Sequence, residues 1–194
     1  MKNEKSNNFV VSCDIGSTHI TMLGAHVTDG INVLGAVRVP NQSVKAGQIL
    51  SLEQLIESLH EASDELEHQT GLSINTVRVT LPASEITSSL FKEEIVLREN
   101  EAQEADIHKI ISNVRAHKPP SNQEWLHVLS NAYELDGKKN IRDPRGLFGS
   151  KLSLLVHGIA APVSEVKTLA RALARTGLKA ESFSFQGKIG RAHV

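Results

Sequence analysis

The sequence contains a single cysteine, Cys13, among its 194 residues. An intrachain disulfide is therefore excluded, and this cysteine usage fits a reducing compartment. The formal net charge is only -1, which gives no indication of nucleic-acid binding. No apolar run is long enough to span a bilayer, and the polar residues 1–8 lack the apolar segment of a signal peptide. We predict that residues 1–8 form a disordered tail.

The length and composition are those of an ordinary globular protein. Hydrophobic residues make up 40% of the chain and charged residues 22%, close to the average for such proteins. A length of 194 residues predicts one domain or two small subdomains. The histidines have no metal-ligand spacing with cysteines or carboxylates, so we interpret them as surface or hydrogen-bonded imidazoles.

The most informative segment is FVVSCDIGSTHI, which begins at Phe9. Two short apolar runs flank a turn that carries Asp14, Gly16, Ser17 and Thr18, so the pattern predicts strand, tight turn, strand. Gly16 allows the backbone to approach an anion because it has no Cβ atom. The N–H groups of such a turn can bind an anion, and its two hydroxyls can donate to phosphate. Asp14 can orient a hydrated Mg²⁺ ion.

The same residues also suit an ordinary hairpin turn, in which Asp, Gly and Ser have their usual conformational roles. The sequence lacks the glycine-rich turn followed by a helix that marks a Walker or Rossmann loop. A phosphate turn between two strands is instead the arrangement of the actin and sugar-kinase ATPases. The motif alone leaves the hairpin and the phosphate site equally open.

Hydrophobic spacing predicts the order β-β-β-α-β for residues 9–82. Asp29-Gly30 is a strong hairpin signal between the second and third strands. Ser51 and Gln54 fit a capping box at the start of a long helix, and Gly71 lies just past its end. The pattern also predicts strands at Ile31–Val39 and Thr76–Leu81 and a loop at Pro40–Gly47.

The hydrophobic spacing in the second half of the chain predicts a β-α-β-β unit followed by one more helix and strand. Ser164 is predicted to cap that last helix, and Gly177 to end it. The glycine-rich segment Asp136–Ser150 is predicted to be a loop. The other predicted elements are strands at Ile86–Leu97, Trp125–Leu135, Leu152–Ile159 and Ala180–Phe185 and a helix at Asp106–Ala116.

With these elements placed, the chain resembles the FtsA family of bacterial cell-division proteins, which have an actin-like ATPase fold. DIGST resembles the first phosphate loop of the family, and KAGQILSLEQLIESL (Lys45–Leu59) its glycine-then-helix segment. WLHVLSNAYELDG (Trp125–Gly137) and IRDPRGLFGSKL (Ile141–Leu152) resemble two further family segments, and the last of these is the most specific signal.

The resemblance implies an α/β fold in which an actin-like, ribonuclease-H-like subdomain 1A carries an inserted α+β subdomain 1C of the SHS2 type. Residues 9–85 together with 161–188 would form subdomain 1A, the nucleotide-binding half. Residues 86–160 would form subdomain 1C, which agrees with the β-α-β-β pattern.

The resemblance also implies the site residues. ATP and Mg²⁺ would be bound by the whole protein, with Asp14 holding the metal through water. The residues implied to contact the cofactor are Asp14, Gly16, Ser17, Thr18 and His19. The residues implied to serve an interaction in subdomain 1C, rather than chemistry, are Asp143, Pro144, Gly146 and Gly149.

The implied partners are FtsZ, other division proteins and further copies of the chain through 1A and 1C, without nucleic acid. The whole protein would tether FtsZ at the inner face of the cytoplasmic membrane, at the division site. Nucleotide would act there as an assembly switch, with at most weak ATPase activity.

The chain also departs from the family pattern. His19 stands where many relatives carry a basic residue close to the phosphates, and LPASEI (Leu81–Ile86) stands where they have a Ser-Gly pair. The second phosphate loop, the adenosine-contacting segment and the C-terminal membrane helix are missing. IGRAHV, residues 189–194, is the translation that the body of a common sequencing adaptor would give, and we hypothesise that adaptor read-through cut the gene. We therefore hypothesise a truncated chain that binds ATP weakly at most.

Two alternatives come from the same superfamily. A sugar kinase would begin with a similar Asp-x-Gly-Ser/Thr turn, but it needs an Asp base for the acceptor hydroxyl, and the sequence offers no clear candidate. A pilus-assembly actin homologue would have a similar first subdomain. The segment Ile141–Leu152 favours the FtsA family over both.

Overall fold

The computed structural model describes residues 8–82 and 85–185, which form two compact units. One unit takes in the described residues up to Glu85 and from Val163 onward, and the other is Ile86–Pro162. The predicted tail, apart from Asn8, and the adaptor-like segment 189–194 lie outside the described residues. In chain order the elements are β1 (Phe9–Ile15), β2 (His19–Val27), β3 (Ile31–Pro40), β4 (Val44–Lys45), β5 (Gln48–Ile49), α1 (Leu52–Thr70), β6 (Thr76–Leu81), β7 (Thr87–Val96), α2 (Glu104–Ala116), β8 (Gln123–Leu135), β9 (Lys138–Ile141), β10 (Lys151–Pro162), α3 (Val163–Arg175) and β11 (Lys179–Phe185).

The first unit is built on a five-stranded sheet with the order β11-β6-β1-β2-β3. Strands β1, β2 and β3 are antiparallel neighbours, whereas β6 and β11 run parallel to β1. Helices α1 and α3 pack against the sheet and against each other. The antiparallel hairpins and the helical crossovers therefore meet in one mixed sheet.

Side chains of β1 alternate between the two faces of this sheet, as a period of two requires. Val11, Cys13 and Ile15 are buried, whereas Ser12 and Asp14 are exposed. The buried positions of the helices supply the other side of the core. These are Leu55, Leu59, Ala62 and Leu66 in α1 and Val166, Leu169, Ala172 and Leu173 in α3.

The ends of α1 lie where the sequence places them. The Ser51 hydroxyl accepts from the Gln54 amide at 3.3 Å, as an N-cap does. Gly71 adopts a left-handed conformation (φ 68°), and its amide donates to the Glu67 carbonyl at 2.8 Å. The second bond of a capping box would join the Ser51 amide to the Gln54 side chain. The Ser51 amide instead donates to the Ser43 carbonyl at 3.4 Å.

Several sequence predictions about local structure are wrong. The predicted loop Pro40–Gly47 contains strand β4, which pairs with β5 around a turn with positive φ at Ala46 and Gly47. The predicted loop Asp136–Ser150 contains β9, which pairs with β8. Both strands have too few residues to produce a detectable alternation. Helix α3 begins at Val163, one residue before the predicted cap Ser164.

The second unit is a four-stranded antiparallel sheet with the order β7-β10-β8-β9, packed by α2. Helix α2 begins two residues earlier than predicted, because Gln103 is its N-cap and the Gln103 amide donates to Asp106 at 3.1 Å. Strand β10 runs to Pro162, so residues 161 and 162 lie in this unit. Its buried core consists of Ile95, Leu97, Ala102, Ile110, Val114, Leu135, Leu152, Leu154 and Val156.

Within the described ranges 8–82 and 85–185, no helix has the length and apolar character needed to cross a membrane.

Candidate phosphate-binding turn

The Asp14–His19 turn lies at the carboxyl end of β1. The parallel strands β6 and β11 end at the same edge of the sheet, since Leu81 pairs with Phe185 and Thr80 with Asp14. Ligands of open α/β sheets bind outside the carboxyl ends of such strands. The fold therefore places the turn at the edge of the sheet that is expected to bind a ligand.

The turn is closed by a hydrogen bond from the Gly16 amide to the His19 carbonyl, at 2.9 Å. A Cβ atom at position 16 would come within 3.0 Å of that same carbonyl oxygen, so glycine is the residue that fits. Ser17 and Thr18 form the tip, and both are exposed. The hydroxyls and amides at the tip are thus presented to solvent, where an anion can reach them.

A buried asparagine on the next loop holds this turn. Asn41 is 2% exposed, and its side-chain Nδ2 donates to the Gly16 carbonyl at 2.7 Å. The Asn41 amide donates to the Thr18 carbonyl at 2.8 Å. The Asn41 Oδ1 accepts from the amide and the hydroxyl of Ser43, at 3.0 and 2.6 Å. This network fixes the backbone of the turn from the inside.

The register places five polar side chains in one row across the sheet. Arg38 pairs with Thr21, Thr21 with Asp14, Asp14 with Thr80, and Thr80 with Ser184. Side chains in one row of a sheet point to the same face. Asp14 therefore lies in the centre of a polar row, between two threonines, directly beside the turn.

Arg38 reaches the turn through His19. The Arg38 Nη2 lies 3.1 Å from the His19 Nδ1, which in turn lies 3.0 Å from the Thr18 Oγ1. A positive charge therefore lies beside the turn even though position 19 is a histidine. Neither Arg38 nor Asn41 is among the site residues that the sequence predicts. Asn41 follows Pro40, which pairs with His19 at the end of the turn. An asparagine at such a position can hydrogen-bond the backbone of a turn, and this was the signal available in the sequence.

Cys13 lies next to Asp14 but has no chemical role at the turn. Burial raises the pKa of the Cys13 thiol to about 12, and the Asp14 carboxylate adds to this rise. The thiolate is the nucleophilic form of cysteine. The side chain is thus an inert core residue at neutral pH.

Among the described residues, no group of three or more His, Cys, Asp or Glu side chains could hold a metal ion. Asp14 is exposed and is the only carboxylate in the polar row described above. This arrangement suits Mg²⁺ better than Zn²⁺, because Mg²⁺ keeps most of its waters and is held by one or two carboxylates.

The four predicted interaction residues lie in a loop of the second unit, between β9 and β10. The Asp143 carboxylate accepts from the Arg145 guanidinium at 2.7 Å, and this pair keeps the pKa of Asp143 below its usual range. Pro144 is buried. Gly146 has φ 75°, and its amide donates to the Ala102 carbonyl at 2.9 Å.

Gly149 lies at the tightest point of this loop. A Cβ atom there would come within 2.6 Å of Leu135 and 2.9 Å of the Asp136 carboxylate. That carboxylate also accepts from the amides of Ser150 and Lys151, both at 2.9 Å. Asp143, Pro144, Gly146 and Gly149 therefore shape the loop. At its tip, the side chain of Phe148 is 78% exposed.

The face of the second sheet opposite its buried core carries a charged cluster. Glu94 accepts from Lys151 at 2.6 Å, from Lys92 at 3.2 Å and from the Ser153 hydroxyl at 3.1 Å. Lys92 also contacts Glu134 at 2.9 Å. The two lysines, Lys151 first, lower the pKa of Glu94 from 4.5 to about 2.

Comparison with known proteins gives a consistent picture. Residues 83–160 match the family model of the SHS2 domain inserted in FtsA. The chain is 27% identical over 183 residues to the cell division protein FtsA of Pseudomonas aeruginosa, covering 93% of this chain and 44% of that protein. It is 25% identical over 180 residues to FtsA of Escherichia coli K12, covering 92% of this chain and 43% of that protein.

The chain is thus similar to FtsA over nearly its whole length. The resemblance read from the sequence is therefore confirmed, and the SHS2 match falls on the second unit. The chain spans less than half the length of these two relatives. A chain of the PilM-PilN type IV pilus biogenesis complex aligns with a TM-score of 0.56 at 11% identity, covering 91% of this chain and 47% of that chain. This likeness confirms the actin-like α/β fold.

Proposed function

We propose that this chain provides the phosphate-binding half of an ATP and Mg²⁺ site and the SHS2 interaction unit of an FtsA-type cell-division protein. The observation that carries the nucleotide part is the Asp14–His19 turn at the carboxyl edge of the sheet. The match of residues 83–160 to the SHS2 domain of FtsA supports the division role.

The chemistry of the proposed site follows from the turn. Ser17 and Thr18, exposed at the tip, donate their hydroxyls and amides to phosphate oxygens. Asp14 accepts hydrogen bonds from the waters of a hydrated Mg²⁺ ion, which neutralises part of the phosphate charge. Gly16 gives the phosphates close access to the backbone. The proposed role of the site is to bind nucleotide.

We infer that in the whole protein nucleotide acts as an assembly switch. The protein then tethers FtsZ filaments to the inner face of the cytoplasmic membrane at the division site. The relatives of known role support this inference, since the FtsA proteins of Pseudomonas aeruginosa and Escherichia coli are named as cell-division proteins.

The SHS2 unit is proposed to mediate contacts with other copies of the chain and with division proteins. Its outer sheet face supports this, because Leu90, His157 and Leu129 lie side by side on β7, β10 and β8. Leu90 is 69% exposed and Leu129 is 48% exposed. Two exposed leucines on one sheet face, separated by a single histidine, offer an apolar contact area for a partner.

The nucleotide proposal is tested by titrating the chain with Mg-ATP and following backbone amides by NMR. We expect millimolar affinity, with shifts at Gly16, Ser17 and Thr18 that depend on Mg²⁺, because the chain spans under half of its relatives' length. Asp14→Ala should remove the Mg²⁺ dependence. Shifts that are absent at millimolar Mg-ATP would refute the site, and micromolar affinity would refute the expectation of weak binding.

Self-association is tested by sedimentation velocity over a range of protein concentrations. We expect the sedimentation coefficient to rise with concentration for the wild-type chain and to stay constant for Leu90→Asp. The matched control is Ser112→Asp on α2, an equally charged change at an exposed position. If the wild-type chain remains monomeric throughout, or if both variants behave alike, the outer sheet face is not the contact.

A further inference from the structure

Arg38 is a cationic side chain that contacts the proposed phosphate turn through His19. It lies on β3, next to Thr21 in the sheet register, and is exposed. Its Nη2 is 3.1 Å from the His19 Nδ1. Among the described residues, His19 is the polar side chain that the structure shows within hydrogen-bond distance of this guanidinium.

This contact determines how His19 carries its proton. A guanidinium has only donors, so the His19 Nδ1 must accept from Arg38, and the imidazole proton must lie on Nε2. The Thr18 Oγ1, at 3.0 Å from the same Nδ1, competes for that acceptor. When Arg38 occupies Nδ1, the Thr18 hydroxyl hydrogen is free to turn towards a ligand at the tip.

We propose that Arg38 is the cationic phosphate contact of this site and that His19 is a positioning residue that holds the guanidinium beside the turn. This inference rests on the proposed nucleotide function and names the residue that supplies its positive charge. A neutral imidazole is a weak partner for a triphosphate, whereas a guanidinium binds phosphate oxygens in a bidentate manner. Arg38 therefore replaces, from a neighbouring strand, the charge that position 19 lacks.

Arg38 and Asp14 lie in the same row, separated by Thr21 on the strand between them. Neighbouring strands are about 4.8 Å apart, so the backbones that carry Arg38 and Asp14 are separated by roughly twice that spacing. A phosphate group bound at this row would meet Arg38 through its oxygens, and Asp14 would hold the hydrated Mg²⁺ through water.

The first test needs no ligand. The nitrogen-15 chemical shifts of the His19 ring report its tautomer at neutral pH. We expect the Nε2–H form in the wild-type chain and a clear change in the Nδ1 chemical shift in Arg38→Ala, because Nδ1 then loses its charged donor. If the wild-type ring carries its proton on Nδ1, the Arg38–His19 contact does not exist in solution and the proposal is overturned.

The second test uses inorganic tripolyphosphate with Mg²⁺ as the probe, again followed by NMR. We expect Arg38→Ala to lose about tenfold in affinity, as for removal of a charge-assisted contact, and Arg38→Lys to retain part of it. The matched control is Arg171→Ala, which removes the same charge from an exposed position on α3 and should change the affinity by less than twofold.

The outcomes separate the two proposals. If Arg38→Ala and Arg171→Ala weaken binding equally while Asp14→Ala still removes the Mg²⁺ dependence, the phosphate turn stands and the role of Arg38 is wrong. If the wild-type chain does not bind tripolyphosphate at millimolar concentration, both proposals fail together. Thermal melting of each variant shows whether a loss of binding reflects loss of folding.

Discussion

The Asn41 side-chain Nδ2 donates to the Gly16 carbonyl at 2.7 Å, and this bond joins residues 25 positions apart in the chain. The same side chain accepts from the amide and the hydroxyl of Ser43. One buried amide group therefore connects the proposed phosphate turn to the β4–β5 hairpin. The conformation of the turn depends on a residue that is itself hidden from any ligand.

Asn41→Ala should destabilise the first unit by about 1–3 kcal/mol, because it leaves the Gly16 carbonyl and the Ser43 donors without their partner in a buried setting. Chemical denaturation followed by circular dichroism measures this loss. Gln42→Ala, at the exposed neighbouring position, is the control and should stay within about 0.5 kcal/mol of wild type. Equal effects of the two changes would mean that the network does not hold the turn.

Cys13 should be protected from thiol reagents in the folded chain. Its side chain is 1% exposed, and burial raises its pKa to about 12, so at pH 8 nearly all of it is the unreactive thiol. Reaction with an aromatic disulfide reagent, followed by absorbance, should be slow in buffer and fast in denaturant. Rapid labelling in buffer, with folding verified, would contradict the buried position of this cysteine.

Glu94 should make the second unit less stable in acid. Its pKa falls from 4.5 to about 2 on folding, so the unfolded chain takes up the proton first as the pH drops. The contribution of Glu94 is therefore fully present above pH 4.5 and is lost as the pH falls towards 2. Because the side chain is 38% exposed, the effect is expected to be small.

Melting temperatures of the wild-type chain and Glu94→Gln, measured from neutral pH down to about 2, test this expectation. The difference between the two should shrink over the acidic range. Glu57→Gln at an exposed position of α1 is the control for the general effect of removing one carboxylate. A difference that is constant with pH would show that the lysines do not stabilise the Glu94 carboxylate.

Gly149→Ala should destabilise the second unit by about 1–3 kcal/mol, the usual cost of inserting a methyl group into a packed site. The added Cβ would lie 2.6 Å from Leu135, and the Asp136 carboxylate behind it is held by two backbone amides. Denaturant titration measures the change. Gly30→Ala is the matched control, because a Cβ there meets nothing within 4 Å. A neutral Gly149→Ala would mean that the loop is not held in this way.

Much of the fold could be predicted from local patterns. The alternation in β1, the Ser51 cap and the Gly71 stop are determined by residues within a few positions of one another, so they can be read directly from the sequence. The short strands β4 and β9 could not be predicted, because two and four residues produce no detectable period. The extension of β10 to Pro162 is likewise set by its pairing with β8.

The candidate site divides in the same way. The residue types of the turn, from Asp14 to His19, are local and suggest phosphate chemistry on their own. Asn41 and Arg38 come from a loop and a strand about twenty positions further on. An asparagine after the third strand is a weak local signal, but the sequence alone does not bring either side chain beside the turn. Their roles depend on the pairing of β2 with β3, which brings Arg38 opposite Thr21.

The sequence by itself determined most of the longer strands and helices, the two ends of α1, and that a glycine-containing acidic turn follows the first strand. The tertiary structure decided that this turn meets the ends of β6 and β11, that a buried amide holds it, and that an arginine supplies its positive charge. The physical reason is the range of the interactions. Capping, turn conformation and alternation act between near neighbours, whereas sheet register and buried hydrogen bonds join residues that only folding brings together.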